Sequence, residues 1–79
     1  MSPLYSRRAV KSLDRMDEFT QRRMRQGINK LPAGDVKKLK GYVDTFRLRI
    51  GDYRIIFDMV PGEIRINDIL LRGEAYKGV

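Results

Sequence analysis

The spacing of apolar residues changes near residue 33 from a helical period to strict alternation. Before that point, two stretches repeat apolar residues three or four positions apart, which predicts two amphipathic helices. The first helix should begin after Ser6 and the second after Asp17, since both residues are good N-caps, and Pro32 should stop the second. The predicted core-facing residues are Ala9, Val10, Leu13 and Met16, then Phe19, Met24, Ile28 and Leu31.

The alternation in the second half of the chain predicts three strands, over residues 45–50, 53–59 and 63–71. A short edge strand is also predicted near the N-terminus, at residues 3–5. Turns at Gly51–Asp52 and Pro61–Gly62 separate the three strands. Strict alternation would bury Asp68 and expose Ile69 in the last strand, so we expect a β-bulge near Asn67 and Asp68. After such a bulge Ile69 and Leu71 face inward and Arg72 points to the opposite side.

This order of elements predicts one α+β domain over residues 1–79. Two antiparallel N-terminal helices should pack on one face of a twisted, mainly antiparallel sheet of three to four strands, leaving the other face open. Gly27 lies inside the second helix, where glycine weakens a helix by about 1 kcal/mol relative to alanine. We interpret it as a point where two backbones approach closely.

The Gly51–Asp52 turn fixes the pairing of the first two long strands. Leu48 should lie opposite Ile55, and Arg49 directly opposite Arg54, with Arg47 two residues along the same face. An opposed pair of like charges costs about 0.2–1 kcal/mol. A polyanion bound to this face would relieve the repulsion. The alternative interpretation is a solvated face, on which the aliphatic parts of the arginine side chains cover apolar surface.

Composition narrows the class of protein. The 79 residues carry a formal net charge of +7, which favours anionic partners such as nucleic acid or an acidic protein. The chain has no cysteine and no histidine, so neither a disulfide framework nor a zinc site is expected. With no signal peptide or long apolar segment apparent, we expect a cytoplasmic protein that makes no use of a membrane.

Several segments in order resemble a known family. They are Tyr5–Ala9, Leu39–Gly41, Phe46–Arg49, Tyr53–Phe57 and Leu71–Tyr76. Together they resemble the RelE/ParE superfamily of bacterial toxins, and specifically the RelE-like messenger-RNA interferases. The resemblance covers nearly the whole chain, although no single segment is specific by itself.

The resemblance implies the toxin of a type II toxin–antitoxin system, an endoribonuclease that cuts messenger RNA in the ribosomal A site. In that chemistry a ribose 2′-hydroxyl attacks its adjacent phosphate, without metal or cofactor. The resemblance also implies a partner, an acidic RelB-like antitoxin. By position, the catalytic residues carried over are Arg47, Arg49, Arg54, Arg72 and Tyr76, and the RNA-binding residues are Lys38 and Lys40.

Arginine keeps its proton in proteins, so these arginines are suited to holding phosphate oxygens rather than to moving protons. Tyr76 could stack on a base or, if neighbouring cations favour its phenolate, accept the 2′-hydroxyl proton. Some relatives have a histidine where this chain has Leu71, which leaves the general acid unassigned. Four carboxylates remain available, and none has a distinctive spacing: Asp44, Asp58, Asp68 and Glu74.

Two alternatives use the same scaffold. A toxin of the ParE branch would inhibit DNA gyrase, although that branch generally lacks the basic constellation on the sheet. A catalytically inert RNA-binding or partner-binding module is the other alternative, and only an assay separates it from the nuclease.

Overall fold

The computed structural model describes residues 2–76, so Met1 and residues 77–79 of the predicted 1–79 domain lie outside the described residues. The elements are β1 (Leu4–Tyr5), α1 (Arg7–Asp14), α2 (Glu18–Asn29), β2 (Val36–Lys38), β3 (Thr45–Ile50), β4 (Tyr53–Val60) and β5 (Glu63–Leu71). The strands form one sheet in the order β1-β5-β4-β3-β2, in which only β1 and β5 run parallel. The α+β class is confirmed.

The sheet has five strands in the described residues, whereas three to four were predicted. The predicted edge strand near residue 4 is present as β1. The extra strand is β2, whose three residues Val36–Lys38 are too few to show alternation and are held in place by pairing with β3. Neither helix in residues 2–76 has the length and apolarity that a membrane crossing requires.

Both helices begin where the N-cap residues predict. The Ser6 hydroxyl oxygen accepts a hydrogen bond from the Ala9 backbone N–H at 3.1 Å, and the Asp17 carboxylate accepts one from Thr20 at 3.4 Å. Each side chain satisfies a backbone donor that has no partner within the helix. The second helix ends at Asn29, before Pro32.

The core lies between the helices and one face of the sheet, with α1 packed on β5 and α2 on β3. Its fully buried members include Ala9 and Leu13 of α1, Met24 and Ile28 of α2, and the strand residues Leu48, Ile55, Phe57, Ile66 and Ile69. Each helix therefore buries a narrow stripe of residues four apart.

The inward prediction was wrong for Val10 and Phe19, which are 43% and 66% exposed. A flat sheet covers only one stripe of each helix, and both residues lie beside it rather than on it. At Gly27 the close approach is to a side chain rather than to a second backbone, because a β-carbon at this position would collide with the Ile50 side chain of β3. Glycine thus allows α2 to approach the sheet.

The β-bulge in β5 is confirmed. Ile56 lies opposite Asp68 and Phe57 opposite Ile66, so Asn67 has no partner residue on β4. The extra residue returns Ile69 to the core, where it is 3% exposed. Leu71 faces the helix side as predicted, since it lies opposite Tyr53, which packs on the core. It is nevertheless 47% exposed, because this last residue of β5 lies at the end of the strand beside a cleft.

The second face of the sheet is less open than predicted. Ile56 and Leu70 share this face with the arginines by register, yet they are only 1% and 7% exposed. The chain after β5 turns back at Gly73, which has a φ of +92°. It then contacts this face, where the Glu74 carbonyl accepts a hydrogen bond from the Arg54 guanidinium.

Candidate active site

The β3–β4 hairpin has the predicted register. Leu48 lies opposite Ile55, Arg47 opposite Ile56, and Arg49 directly opposite Arg54. Gly51 opens the turn with a φ of +58°, a conformation that residues with a β-carbon adopt rarely. The turn therefore places the two arginine side chains side by side at their base, because directly opposed residues have β-carbons about 4.5–5.5 Å apart.

Arg72 is brought to the same place by a backbone contact. Its N–H donates to the Asp52 carbonyl at 2.7 Å, which ties the end of β5 to the hairpin turn. Because the bond joins the two backbones, the position of Arg72 does not depend on where its own side chain points.

An open groove of about 510 Å³ lies where these elements meet. It is lined by four arginines and three turn residues: Arg47, Arg49, Arg54, Arg72, Gly51, Asp52 and Gly73. The structure therefore brings together four of the five side chains that the sequence predicted to be catalytic. We call this feature the arginine groove.

The four guanidinium groups differ in their partners. Arg47 is half-buried and lies 3.7 Å from the Asp35 carboxylate, and it also donates to the Asp35 carbonyl at 3.2 Å. Arg49 donates to the Gly51 carbonyl at 3.5 Å, and Arg54 to the carbonyl of Glu74. Among residues 2–76, no carboxylate lies within 4.0 Å of the guanidinium groups of Arg49, Arg54 or Arg72.

Tyr76 lies outside the arginine groove. Its ring is 5.8 Å from that of Tyr42, at an angle of 52°, near the opposite end of the sheet face. Burial raises the pKa of the Tyr76 phenol above its ordinary value, and the negative charge of Asp58 raises it further. The surroundings of Tyr76 favour the neutral phenol, so they do not support a role as the base that accepts the 2′-hydroxyl proton.

The two predicted RNA-binding lysines lie at the far edge of the sheet. Lys38 is opposite Phe46, whose side chain packs on the core. Directly opposed residues share a face of the sheet, so Lys38 lies on the helix side. Lys40 is exposed in the turn after β2. Lys37, which the sequence analysis did not single out, is opposite Arg47 and shares the arginine side. Only the register of β2 reveals this, since its sequence has no alternation.

Carboxylates are placed around the groove rather than within it, with one exception. Asp58 accepts a hydrogen bond from the Thr45 hydroxyl at 2.6 Å, and Asp68 accepts one from the Ile69 N–H. Asp52 is the carboxylate that lines the groove.

No cluster of three or more potential metal-ligating side chains occurs in residues 2–76. The arrangement is suited to binding a phosphate through guanidinium groups.

The sheet thus has two helices on one face and the four arginines of the groove on the other. Residues 4–76 match the model of a family described as the ParE toxin of the type II toxin–antitoxin system parDE. The chain therefore belongs to this family, within the RelE/ParE toxin superfamily.

Solved structures agree with this assignment. The crystal structure of the RelB–RelE antitoxin–toxin complex from Methanococcus jannaschii matches with a TM-score of 0.74 and 25% identity, covering 86% of this chain and 88% of that one. The archaeal RelE–RelB complex from Pyrococcus horikoshii OT3 matches with a TM-score of 0.72 and 30% identity, covering 95% and 100%.

The intact RelBE complex from E. coli matches with a TM-score of 0.68 at 13% identity, covering 91% and 95%, which shows a shared fold. A comparison with curated proteins found no match.

Proposed function

We propose that this toxin is a ribosome-dependent endoribonuclease that cuts messenger RNA in the ribosomal A site. A ribose 2′-hydroxyl attacks its adjacent phosphate, and the 5′-oxygen of the next nucleotide leaves. The observation that supports this most strongly is the arginine groove, in which side chains from β3, β4 and the end of β5 line one concavity.

The proposed role of the arginines is electrostatic. Guanidinium groups donate paired hydrogen bonds to phosphate oxygens, and they are fixed in place before the negative charge of the transition state develops. Arg49, Arg54 and Arg72 are the main candidates, since no carboxylate of the described residues neutralises them. Arg47 adds charge at the side of the groove, where Asp35 holds it.

Dependence on the ribosome follows from what the chain lacks. It has no histidine, the residue most often used as a general acid or base. A scaffold that holds the 2′-hydroxyl in line with the phosphate can lower the barrier by about 7–11 kcal/mol through positioning alone. We propose that the ribosome supplies that positioning, and that the toxin acts in the cytoplasm without metal or cofactor.

The remaining predicted residues would bind RNA outside the groove. Tyr76 is proposed to stack on a base, in its neutral form. Lys38 and Lys40 would contact the RNA backbone around the edge of the sheet. Lys37, which the sequence did not predict, would contact it on the arginine side.

The proposed partner is an acidic, RelB-like antitoxin. The two archaeal relatives of 25% and 30% identity were both crystallised as RelB–RelE complexes. A net charge of +7 complements an acidic chain.

The test is cell-free translation followed by primer extension on the message. Arg54→Ala and Arg72→Ala should each reduce codon-positioned cleavage about 100-fold, the usual effect of removing one transition-state donor. Arg65→Ala is the matched control, because Arg65 is an exposed sheet arginine paired with Glu63 at 2.6 Å and lies outside the groove. Full cleavage by both groove variants would contradict the proposal.

A second candidate, inhibition of DNA gyrase, is favoured by one observation: the matching family model is the ParE toxin. Wild-type protein would then leave messages intact and produce gyrase-dependent DNA breaks. Absence of both activities in folded protein would favour an inert binding module.

A further inference from the structure

The outer edge of β5 is only half paired. β1 covers it at Arg65 and Ile66, and Ser6 continues the pairing with hydrogen bonds to the carbonyls of Ile66 and Asn67, at 2.9 and 2.6 Å. From Asp68 to Leu71 no other strand of residues 2–76 lies along this edge. We call these four residues the β5 free edge. Unpaired edges present backbone groups that can pair with another chain.

Two carboxylates occupy the backbone donors of the β5 free edge. The Ile69 N–H donates to the Asp68 carboxylate at 2.8 Å, and the Leu71 N–H donates to the Glu74 carboxylate at 2.6 Å. These N–H groups are two residues apart, so both point away from β4, with the spacing of donors in a β-ladder. Carboxylate oxygens thus occupy the positions that the carbonyls of an added strand would take.

A cleft of about 380 Å³ runs between the β5 free edge and α1. Its apolar lining includes Met16, Ile69 and the half-exposed Leu71, which an added strand would cover. Its lining from α1 and the C-cap residue after it includes three cations, Arg8, Lys11 and Arg15, together with Ser12. Arg8 lies 3.9 Å from the Asp68 carboxylate, whereas Lys11 and Arg15 have no carboxylate of residues 2–76 within 4.0 Å. The cleft therefore combines backbone donors and apolar surface with three cations against two acidic residues, Asp68 and Glu74.

We propose that this cleft binds an extended acidic peptide segment of a partner protein, which adds to the sheet as a strand beside β5. Backbone carbonyls of the peptide replace the two carboxylates on Ile69 and Leu71, and its acidic side chains pair with the cations of α1. The site is separate from the arginine groove: the two share none of their lining residues. Identifying the partner as the antitoxin rests on the proposed function, but the binding site does not.

Charge disfavours the simplest competitor, a second copy of this chain. Pairing two β5 free edges would bring two sets of Arg8, Lys11 and Arg15 together, which like-charge repulsion opposes. A single strand of RNA would satisfy the same cations but would not form a β-ladder. Protection of the Ile69 and Leu71 amides therefore distinguishes a peptide strand from RNA.

The test uses the full chain labelled with ¹⁵N and a synthetic ten-residue peptide of alternating valine and glutamate, blocked at both ends. At saturation, hydrogen exchange at the Ile69 and Leu71 amides should slow at least tenfold, and the amides of β3 should not change. Leu71→Pro removes one edge donor, at a position where an edge strand tolerates proline. It should weaken binding at least tenfold, while Leu71→Val should retain it.

A second pair of variants tests the charges and does not depend on how well the proline variant folds. Lys11→Glu/Arg15→Glu reverses two charges in the cleft, and Arg7→Glu/Arg22→Glu reverses two exposed charges elsewhere. The first should weaken binding at least tenfold and the second less than threefold. If both double variants weakened peptide binding equally, the binding would reflect non-specific electrostatic attraction, and the proposal would be overturned.

Other results would also overturn it. These are binding without amide protection, peptide-induced shifts confined to the arginine groove, or a uridine decamer that protects the same two amides, which would assign the cleft to nucleic acid. Because the experiment measures no cleavage, its failure would leave the nuclease proposal standing, and failure of the nuclease assay would leave this site standing.

Discussion

On the helix side of β4, Ile55 and Phe57 are fully buried among apolar neighbours, whereas on the other side Arg54 faces Arg49 across the strand pair. The two sets of side chains alternate along one strand and share one backbone. The helix side has the packing expected of a core. The arginine side instead holds like charges in fixed positions, at a cost of about 0.2–1 kcal/mol for the opposed pair.

The difference separates a face that stabilises the fold from a face that the proposed function assigns to binding. In the described residues, every buried side-chain nitrogen and oxygen has a hydrogen-bond partner. The buried part of the fold therefore carries no unpaired polar side chain. An arrangement that retains opposed guanidinium groups on such a scaffold is better explained by an anionic ligand than by folding.

The largest expected effect contrasts two neighbouring buried residues. Ile55 lies in the core cluster, whereas Ile56 is buried on the arginine face, outside that cluster. Ile55→Ala should lower the free energy of unfolding by about 2–5 kcal/mol, and Ile56→Ala should cost less because Ile56 lies outside the apolar core cluster. Urea unfolding measures both. Equal losses would show that the two faces are packed alike.

A smaller effect is expected at Tyr76. If the ring stacks on a base, Tyr76→Ala should weaken transition-state binding by about 1–3 kcal/mol, while Tyr76→Phe should keep most activity because the ring is retained. Cleavage rates in the translation assay measure this. Inactivity of Tyr76→Phe would instead assign chemistry to the hydroxyl.

The raised pKa of Tyr76 also predicts a pH dependence. A folded-state pKa above the unfolded value of 10.0 gives a stabilising contribution that is complete below pH 10 and is lost as the pH rises through the folded value. The free energy of unfolding of wild type should therefore fall more steeply above pH 10 than that of Tyr76→Phe. Parallel curves would contradict the assigned burial.

The smallest effect tests the opposed charges. Arg49→Gln should raise the free energy of unfolding by about 0.2–1 kcal/mol at low salt while reducing cleavage. The gain should nearly disappear in 1 M salt, where screening acts within about 3 Å. Arg65→Gln is the control, since Arg65 is paired with Glu63. A gain of the same size in the control would contradict the account.

Much of the fold could be predicted from local rules. The Gly51–Asp52 turn set the register of β3 and β4, Ser6 and Asp17 set the helix starts, and the mismatch at Asp68 revealed the bulge. Each of these depends on neighbours within a few residues. The four groove arginines followed from the same register, together with the resemblance to known toxins.

What could not be predicted depends on contacts between distant segments. Lys37 joins the arginine side only through pairing with β3, and Tyr76 is placed away from the arginines by the return of the chain across the sheet. Leu71 is exposed because, within residues 2–76, no strand pairs with the outer edge at the end of β5. No local pattern in the sequence encodes these positions.

The central claim is that arginines from separate strands hold one phosphate, and a double-mutant cycle tests it most directly. Cleavage by wild type, Arg54→Ala, Arg72→Ala and the double variant would be compared in the translation assay. If both side chains hold the same phosphate, the double variant should lose much less than the product of the two single losses. A double variant whose loss equals the full product of the two single losses, as for independent sites, would contradict a shared site.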